Sequence, residues 1–243
     1  MAFPQTIMGK FGWEKVTSTS QKHKLGTRMQ IADREFVYAS SGEAITVGKL
    51  VMGKAGTAGH QVDLAVSAQS AGGTVVTLSG SLTITLNLYK DGWLIFNDVE
   101  EEGHFYRVKS NTAVSSATGC EVTIDEEDGL VAAITTSQQV GLYENPFKAV
   151  EAHDANDVDH APLGWTCADI ASGSYGWLCV KGFTAALVDG TPAAGVPLIA
   201  SNGVDGAVEV YDEDGTVNLS PVGYMGPIAG VAGEYGLIKA NIE

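Results

Sequence analysis

The densest group of possible metal ligands is the stretch His153-Asp154-Ala155-Asn156-Asp157-Val158-Asp159-His160. Oxygen ligands at alternate positions can surround Ca²⁺, and histidines combined with aspartates can hold Zn²⁺ or Mn²⁺. The stretch lacks the glycine at the turn and the closing glutamate of an EF-hand loop. Because charged loops commonly connect elements at a protein surface, the sequence favours a solvated loop over a metal site.

Three further acidic segments could take part in chemistry. Asp212-Glu213-Asp214-Gly215 is similar to the middle of a calcium loop, but the strand-like run after it favours a β-turn. Residues 98–102 and 125–128 are acidic clusters between predicted strands. A carboxylate pair suits acid–base catalysis when burial shifts one of its pKa values, and a loop tip provides no such burial. We therefore predict solvated turns at these positions.

The common catalytic motifs are missing from the sequence. It contains no GxSxG elbow, no HExxH pair and no Rossmann glycine fingerprint. The glycine-spaced residues 53–59 continue into His60-Gln61-Val62-Asp63, whereas a phosphate-binding loop ends in Gly-Lys-Ser/Thr at a helix start. The sequence thus predicts that the protein is not an enzyme and that it has no catalytic residues, no cofactor and no metal.

The charge balance argues against nucleic acid as a partner. Phosphate binding needs clustered Lys and Arg, whereas here 14 basic residues stand against 29 acidic ones, with a formal net charge of −15. The same charge disfavours an anionic membrane surface, and no run approaches the ~18 apolar residues of a membrane span. The first residues also lack the basic and apolar regions of a signal peptide. No membrane partner is expected.

The cysteines indicate folding in a reducing compartment. Cys120, Cys167 and Cys179 are odd in number and have no CxxC spacing, as expected for folding in a reducing cytoplasm. A bridge between Cys167 and Cys179 is the less favoured alternative.

Short apolar runs, separated by some of the thirty glycines or by Asn and Asp, predict an all-β fold. The runs recur every 8 to 12 residues or so, which is typical of sandwiches and barrels. Residues 82–88 alternate most clearly, and an Asp-Gly hairpin signal follows at residues 91–92. The predicted strands are residues 35–39, 44–52, 74–78, 82–88, 93–97, 105–109, 120–124 and 130–135.

The C-terminal third predicts a strand, a turn and a strand. In Tyr175-Gly176-Trp177-Leu178-Cys179-Val180-Lys181-Gly182, Trp177 and Cys179 share one face, and Leu178 and Val180 fill the other. Gly182 and Gly190 bracket a second apolar run at residues 183–188. Because so apolar a strand usually faces inward, Trp177 and Tyr175 are expected in the core rather than at an interface.

The N-terminal residues allow two interpretations. Residues 1–30 are polar and weakly periodic, which fits a partly disordered terminus. Phe11 and Trp13 would share one face of an extended strand, which fits an arm whose aromatic side chains dock on a neighbouring subunit. We predict two small β-sandwich or β-barrel units with an extended N-terminal arm: arm 1–33, first domain 34–147 and second domain 148–243. A short helix is expected at residues 145–151, with Asn145 as its cap.

Segments spread over most of the chain after residue 25 carry a resemblance to a known family. They are Gly26-Thr27-Arg28, Asp33-Arg34-Glu35-Phe36-Val37-Tyr38, Gly92-Trp93-Leu94-Ile95-Phe96-Asn97-Asp98, Tyr106-Arg107-Val108-Lys109-Ser110, Val140-Gly141-Leu142-Tyr143-Glu144-Asn145-Pro146-Phe147 and the segments 42–51 and 176–226. With these segments the chain resembles the capsid decoration (cement) proteins of tailed bacteriophages, and their synthesis in a host cytoplasm agrees with the cysteine pattern. The resemblance implies a structural virion protein, a homotrimer, bound to the outside of an icosahedral head between major capsid protein subunits. It implies no catalytic residues.

The residues expected to contact the capsid or a neighbouring subunit are Phe11, Trp13, Arg28 and Phe36. An acidic surface suits the outside of a head rather than its DNA-lined interior. The alternative is a head-fibre or tail (tube or fibre) module that binds a host glycan. A third class, a hydrolase of surface polysaccharide, would require a buried carboxylate pair.

Overall fold

The computed structural model describes residues 6–99, 101–156, 160–211 and 220–242. Strands and isolated β-bridges account for 44% of the described residues, which contain one short 3-10 helix, Trp13–Lys15, and no α-helix. The predicted all-β class is therefore confirmed.

The described residues form nineteen strands. In chain order they are β1 Thr6–Met8, β2 Arg28–Ile31, β3 Arg34–Ser40, β4 Leu50–Met52, β5 Leu64–Ala65, β6 Val75–Leu78, β7 Leu82–Ile84, β8 Trp93–Asp98, β9 Phe105–Asn111, β10 Val114–Ala117, β11 Cys120–Ile124, β12 Gln139–Tyr143, β13 Glu151–Ala152, β14 Pro162–Thr166, β15 Tyr175–Leu187, β16 Pro197–Ala200, β17 Val208–Val210, β18 Gly223–Met225 and β19 Tyr235–Asn241.

The chain divides into two compact units whose boundaries differ from the predicted domains. Unit 1 comprises Met1–Ala55 and Pro146–Glu243, and unit 2 comprises Gly56–Asn145. The predicted boundary at residue 147 lies close to one junction, but residues 34–55 join the C-terminal third. The reason is long-range pairing: β3 pairs with β15, and β4 pairs with β13 and β14. A strand's own residues do not reveal a partner more than a hundred positions away.

Unit 1 is built on one large sheet of eleven strands. Its main path runs β1-β2-β3-β15-β19-β18-β16-β17, and β4, β13 and β14 lie off this path. Inward side chains of these strands form a core that includes Phe36, Trp165, Trp177 and Ile238. A smaller cluster packs around Val51, Val150 and Leu178.

β15 is a single strand of 13 residues, Tyr175–Leu187, rather than two runs separated by a turn. Gly182, the predicted break, has a φ of 92°, and a Cβ there would lie 2.8 Å from the backbone oxygen of Asp33. The register with β3 shifts between Cys179 and Lys181. The glycine therefore allows a β-bulge within a continuous strand, since only glycine adopts this backbone region without strain.

The bulge also changes which side chains face the core. Trp177 and Cys179 before it pack in the same core as Ala186 and Val188 after it. Even-numbered residues thus replace odd-numbered ones on the inner side. Phe183 is consequently exposed, although strict alternation from Trp177 would bury it.

Unit 2 contains a six-stranded sheet that nearly closes into a barrel. The strand order is β5-β12-β8-β9-β11-β6, and Val66, the residue after β5, bridges to Leu78 of β6. Its core is mostly aliphatic, with Tyr89, Phe96 and Tyr106 among the buried aromatic residues. β7 and β10 form a separate two-stranded sheet.

Several local predictions for unit 2 are wrong in extent. The strand predicted at residues 82–88 ends at Ile84, and β7 pairs with β10 rather than forming an Asp91-Gly92 hairpin with β8. The Asn111 side chain binds the backbone here, because its amide donates to the Thr85 oxygen (2.9 Å) while its oxygen accepts from the Tyr89 N–H (2.9 Å). Residues 130–135 form one isolated bridge and no strand.

Two predictions for unit 1 are also wrong. Of residues 44–52, only Leu50–Met52 form a strand, since Gly48 turns the chain at a φ of 75°. No helix begins at Asn145, although its side chain does bind backbone by donating to the Asp91 oxygen at 2.7 Å within unit 2. The segment instead leads into β13.

Candidate interaction surfaces

An apolar ridge lies at the N-terminal end of unit 1. Its exposed side chains are Met8, Phe11, Trp13 and Val16, and we call residues 8–16 the N-terminal ridge. Phe11 is 75% exposed and Trp13 44% exposed. They flank Gly12, which caps the 3-10 helix in the left-handed region at a φ of 95°. The two aromatic residues predicted as contacts are thus at the surface, on a tight turn rather than an extended strand.

The ridge is tied to the sheet at both ends by backbone hydrogen bonds. The Gly9 N–H donates to the Gln30 oxygen at 2.9 Å, just beyond the parallel pairing of β1 with β2. Ser18 and Tyr175 exchange two bonds, of 3.0 and 2.8 Å. Residues 6–33 of the predicted arm therefore belong to unit 1, while residues 1–5 lie outside the described residues.

A buried ion pair fixes the middle of the ridge. The Glu14 side chain is only 5% exposed, and its carboxylate accepts hydrogen bonds from the Arg34 guanidinium at 3.0 Å and from the Gly12 N–H at 2.7 Å. Burial alone would raise the pKa of the Glu14 carboxyl, but backbone hydrogen bonds and Arg34 outweigh it and lower the pKa below its ordinary value. Glu14 is therefore held in its charged form.

Arg34 also connects the ridge to the core through aromatic contacts. Its guanidinium lies 5.9 Å from the Phe11 ring centroid and 5.1 Å from that of Phe36. Such cation–π contacts attract the guanidinium to both rings and help to hold it between them. Phe36 is 0% exposed, so its side chain supports Arg34 from below and is not itself available for a surface contact. The roles of Glu14 and Arg34 were not predicted from the sequence.

Arg28, the fourth predicted contact residue, lies on β2 outside the ridge. About half of its side chain is exposed, and it pairs with Glu35 at 3.3 Å. Glu35 also lies 3.6 Å from Lys181 on β15. Exposed pairs of this kind contribute little to stability, so Arg28 can exchange its partner at low cost.

An aromatic cluster supports the inner side of the N-terminal region. The Tyr38 ring stacks on Tyr175 at 5.9 Å and meets Trp177 edge-on at 5.0 Å, and His23 packs against both Tyr38 and Trp177. Burial lowers the pKa of His23, which favours the neutral ring. Trp177 is buried, as the sequence predicts, and Tyr175 is partly buried against the same core.

A second exposed apolar surface lies on the large sheet, and the sequence analysis did not identify it. It is formed by β15, β19 and β18, and we call it the outer face. Its largest apolar side chains are each 43% to 51% exposed. The outer face comprises Phe183, Ala185, Leu187, Tyr224, Tyr235, Leu237 and Lys239.

The segments considered for metal binding are only partly described. Of residues 153–160, the described ones are 153–156 and His160, and all of Asp212-Glu213-Asp214-Gly215 lies outside the described residues. His153 is buried, and Asp154 accepts a hydrogen bond from the Asn156 N–H at 2.8 Å. Within the described parts of the chain, no three His, Cys, Asp or Glu residues are grouped as metal ligands.

Burial favours the neutral forms of the cysteines and of Tyr89. Burial raises the pKa of Cys179 to about 11 and also raises the pKa of Cys167, the reverse of an activated thiolate. All three cysteines are free thiols. In unit 2, Tyr89 forms a hydrogen bond with His60, and burial raises the Tyr89 pKa. Of the acidic clusters, residues 126–128 are exposed, as predicted. The prediction is wrong for Glu101 in the other cluster, because its side chain is only 5% exposed and pairs with His104 at 2.6 Å.

Comparisons with known proteins found no relative of this chain. Among the described residues, no helix is long and apolar enough to span a membrane. The chain matches no protein-family model, no curated protein and no solved structure.

Proposed function

We propose that this chain is a structural virion protein that decorates the outside of a tailed-bacteriophage head and stabilises contacts between major capsid protein subunits. The proposal starts from the sequence resemblance to capsid decoration proteins. The structural observation that carries it is the N-terminal ridge, in which four exposed apolar side chains lie within nine residues. Such a concentration of exposed apolar surface is typical of an interaction site.

The ridge is suited to adhesion because it is ordered before it binds. The Glu14–Arg34 pair and the backbone bonds at Gly9 and Ser18 hold Phe11 and Trp13 in place. Binding of a partner to these rings therefore costs little conformational entropy in the ridge. Aromatic side chains at the centre of an interface commonly supply much of its binding free energy.

The charge of the chain supports an outward position. A formal net charge of −15 would be repelled by packaged DNA inside a head, whereas it favours solubility on the outside. Assembly as a homotrimer, as the resemblance implies, would join three ridges in one particle contact. The second and third contacts would then form at a high effective concentration.

The test compares heads with and without the protein. Particles from a phage that lacks the gene should release their DNA at a lower temperature, and added purified protein should restore the wild-type value. The double variant Phe11→Ser/Trp13→Ser should bind heads weakly and restore little. Val62→Ser/Val131→Ser, at two exposed positions of unit 2, is the matched control and should restore fully. Equal heat stability with and without the protein would contradict a stabilising role.

One observation favours the alternative of a fibre or tail module that binds a glycan. Tyr224 and Tyr235 expose amphipathic rings on the outer face, and such rings combine an apolar body with a polar tip. Binding to host surface glycans on an array, lost in Tyr224→Ser and Tyr235→Ser, would favour this function. Heads stabilised by the protein without any glycan binding would favour decoration.

A further inference from the structure

The outer face is organised in rows across three paired strands. Phe183 of β15 lies opposite Lys239 of β19, which lies opposite Tyr224 of β18. The next row pairs Ala185 with Leu237. Directly opposed residues of an antiparallel pair project from the same side of a sheet, with Cβ atoms about 5 Å apart. These side chains therefore form one continuous surface, and a third row of Leu187 and Tyr235 extends it.

The surface is preorganised by the core beneath it. Between the outward residues, Ala186, Met225, Ile238 and Ala240 point inward and are buried in the core of unit 1. The three strands pair along their length, from the Lys181–Asn241 pair to the Leu187–Tyr235 pair for β15 and β19. A partner would meet a surface that needs no rearrangement.

The charge of this surface is unusual for the chain. Acidic residues outnumber basic ones 29 to 14 overall, yet none of the seven outer-face residues is acidic and one is a lysine. Lys239 lies between two aromatic neighbours, and no ion pair found among the described residues includes it. A partner that covers the apolar rows would also desolvate this ammonium group. Desolvation of a charge without a counter-charge is strongly unfavourable.

We infer that the outer face docks a protein partner whose own apolar patch holds an Asp or Glu carboxylate opposite Lys239. The apolar rows supply the burial, and the carboxylate compensates the lysine. This inference deepens the proposed function. It rests on that function in one respect, namely that the partner is taken to be a virion protein.

Other occupants fit these charges less well. A second copy docking face to face would bring together two lysine-bearing surfaces that have no carboxylate, on chains of net charge −15. An anionic lipid surface could neutralise Lys239, but it would repel the acidic chain as a whole. These occupants are distinguishable outcomes of the test.

The experiment uses photo-crosslinking in infected cells with the full chain. p-Benzoylphenylalanine replaces Phe183 in one strain and Tyr224 in another, and the matched control replaces Phe105, an exposed aromatic residue on β9 of unit 2. Both outer-face positions should crosslink to the same protein, at a peptide that contains an Asp or Glu. The Phe105 position should not crosslink to that peptide.

Charge variants then test the role of Lys239. Lys239→Glu should lower the affinity for the identified partner by at least about 30-fold, and Lys239→Met, which keeps an apolar stem, should have a smaller effect. Replacing the partner's carboxylate with lysine should restore binding to Lys239→Glu. Lys109→Glu, on an exposed position of β9, is the control and should bind as the wild type does. Circular dichroism verifies that each variant folds.

Four results would overturn the inference. They are crosslinking no stronger than at Phe105, crosslinking to a second copy, a partner whose binding is unaffected by Lys239→Glu, and binding to phosphatidylglycerol vesicles without a protein partner. The inference and the proposed function can fail separately. A carboxylate-bearing partner found while purified particles lack the protein would contradict decoration alone, and abundant protein on particles with a solvent-exposed outer face would contradict the docking inference alone.

Discussion

The N-terminal ridge and the outer face expose similar apolar side chains but are held in different ways. The ridge depends on one buried ion pair and on backbone bonds at its two ends. The outer face is part of a sheet whose reverse side is the core of unit 1. Local opening needs only the local contacts to break, whereas a central strand opens with the sheet. An exposed apolar surface can therefore be held by a few local contacts, which open independently, or by the core, with which it opens.

The largest effect is expected from a cavity beneath the outer face. Ile238→Ala removes a fully buried side chain of β19 and should destabilise unit 1 by about 2–5 kcal/mol. Hydrogen exchange read by mass spectrometry should show faster exchange throughout β15, β18 and β19. Faster exchange in the ridge alone would contradict the view that the outer face opens only with the core.

Loss of the ion pair should release the ridge and leave the outer face intact. Glu14→Gln leaves Arg34 without its buried counter-charge, and we expect a local cost of roughly 3 kcal/mol. Amides of residues 10–16 should exchange about a hundredfold faster, with β19 unchanged. Glu35→Gln, which removes a partly exposed carboxylate from the same region, is the control and should change exchange by less than about threefold.

Low pH should also release the ridge, because it protonates Glu14. Because the folded-state pKa of Glu14 lies below its ordinary value of 4.5, its contribution is complete above pH 4.5 and is lost as the pH falls through the lowered pKa. Exchange at residues 10–16 should therefore accelerate, relative to β19, below pH 4.5. Glu14→Gln should abolish this relative acceleration. An unchanged pH profile in the variant would show that another group controls the ridge.

The smallest effects on stability are expected at the exposed apolar side chains themselves. Phe11→Ser and Leu237→Ser should each change the free energy of unfolding by no more than about 1 kcal/mol, since Phe11 is 75% exposed and Leu237 is 50% exposed. Denaturant unfolding measures this. A large loss of stability in Leu237→Ser would indicate that the outer face serves the fold and not a partner.

The local pattern of apolar residues predicted the positions of several strands well, but it did not predict which strands pair with one another. Residues 120–124 were predicted as a strand and are β11, because alternation there coincides with a buried face. The predicted strand at 82–88 stops early because the Asn111 side chain binds the backbone around Thr85 from 26 positions away. The pairing of β3 with β15 decides which residues belong to unit 1, and it cannot be read from the residues of either strand alone.

The surfaces show the same division between local and distant information. Phe11 and Trp13 were found because two large aromatics stand out in a polar segment. Phe36 was expected at the surface and is buried, since β3 is central in its sheet. The outer face was missed because β15, β18 and β19 carry apolar residues on both sides, and the bulge at Gly182 decides which side of β15 is exposed.

The most direct test of the account is the copy number of this protein in purified virions, measured by quantitative mass spectrometry and located by cryo-microscopy. We expect hundreds of copies per particle on the outside of the head, in contact with the major capsid protein through the N-terminal ridge. A handful of copies at the tail, or none, would contradict the proposal that these exposed β surfaces decorate a capsid.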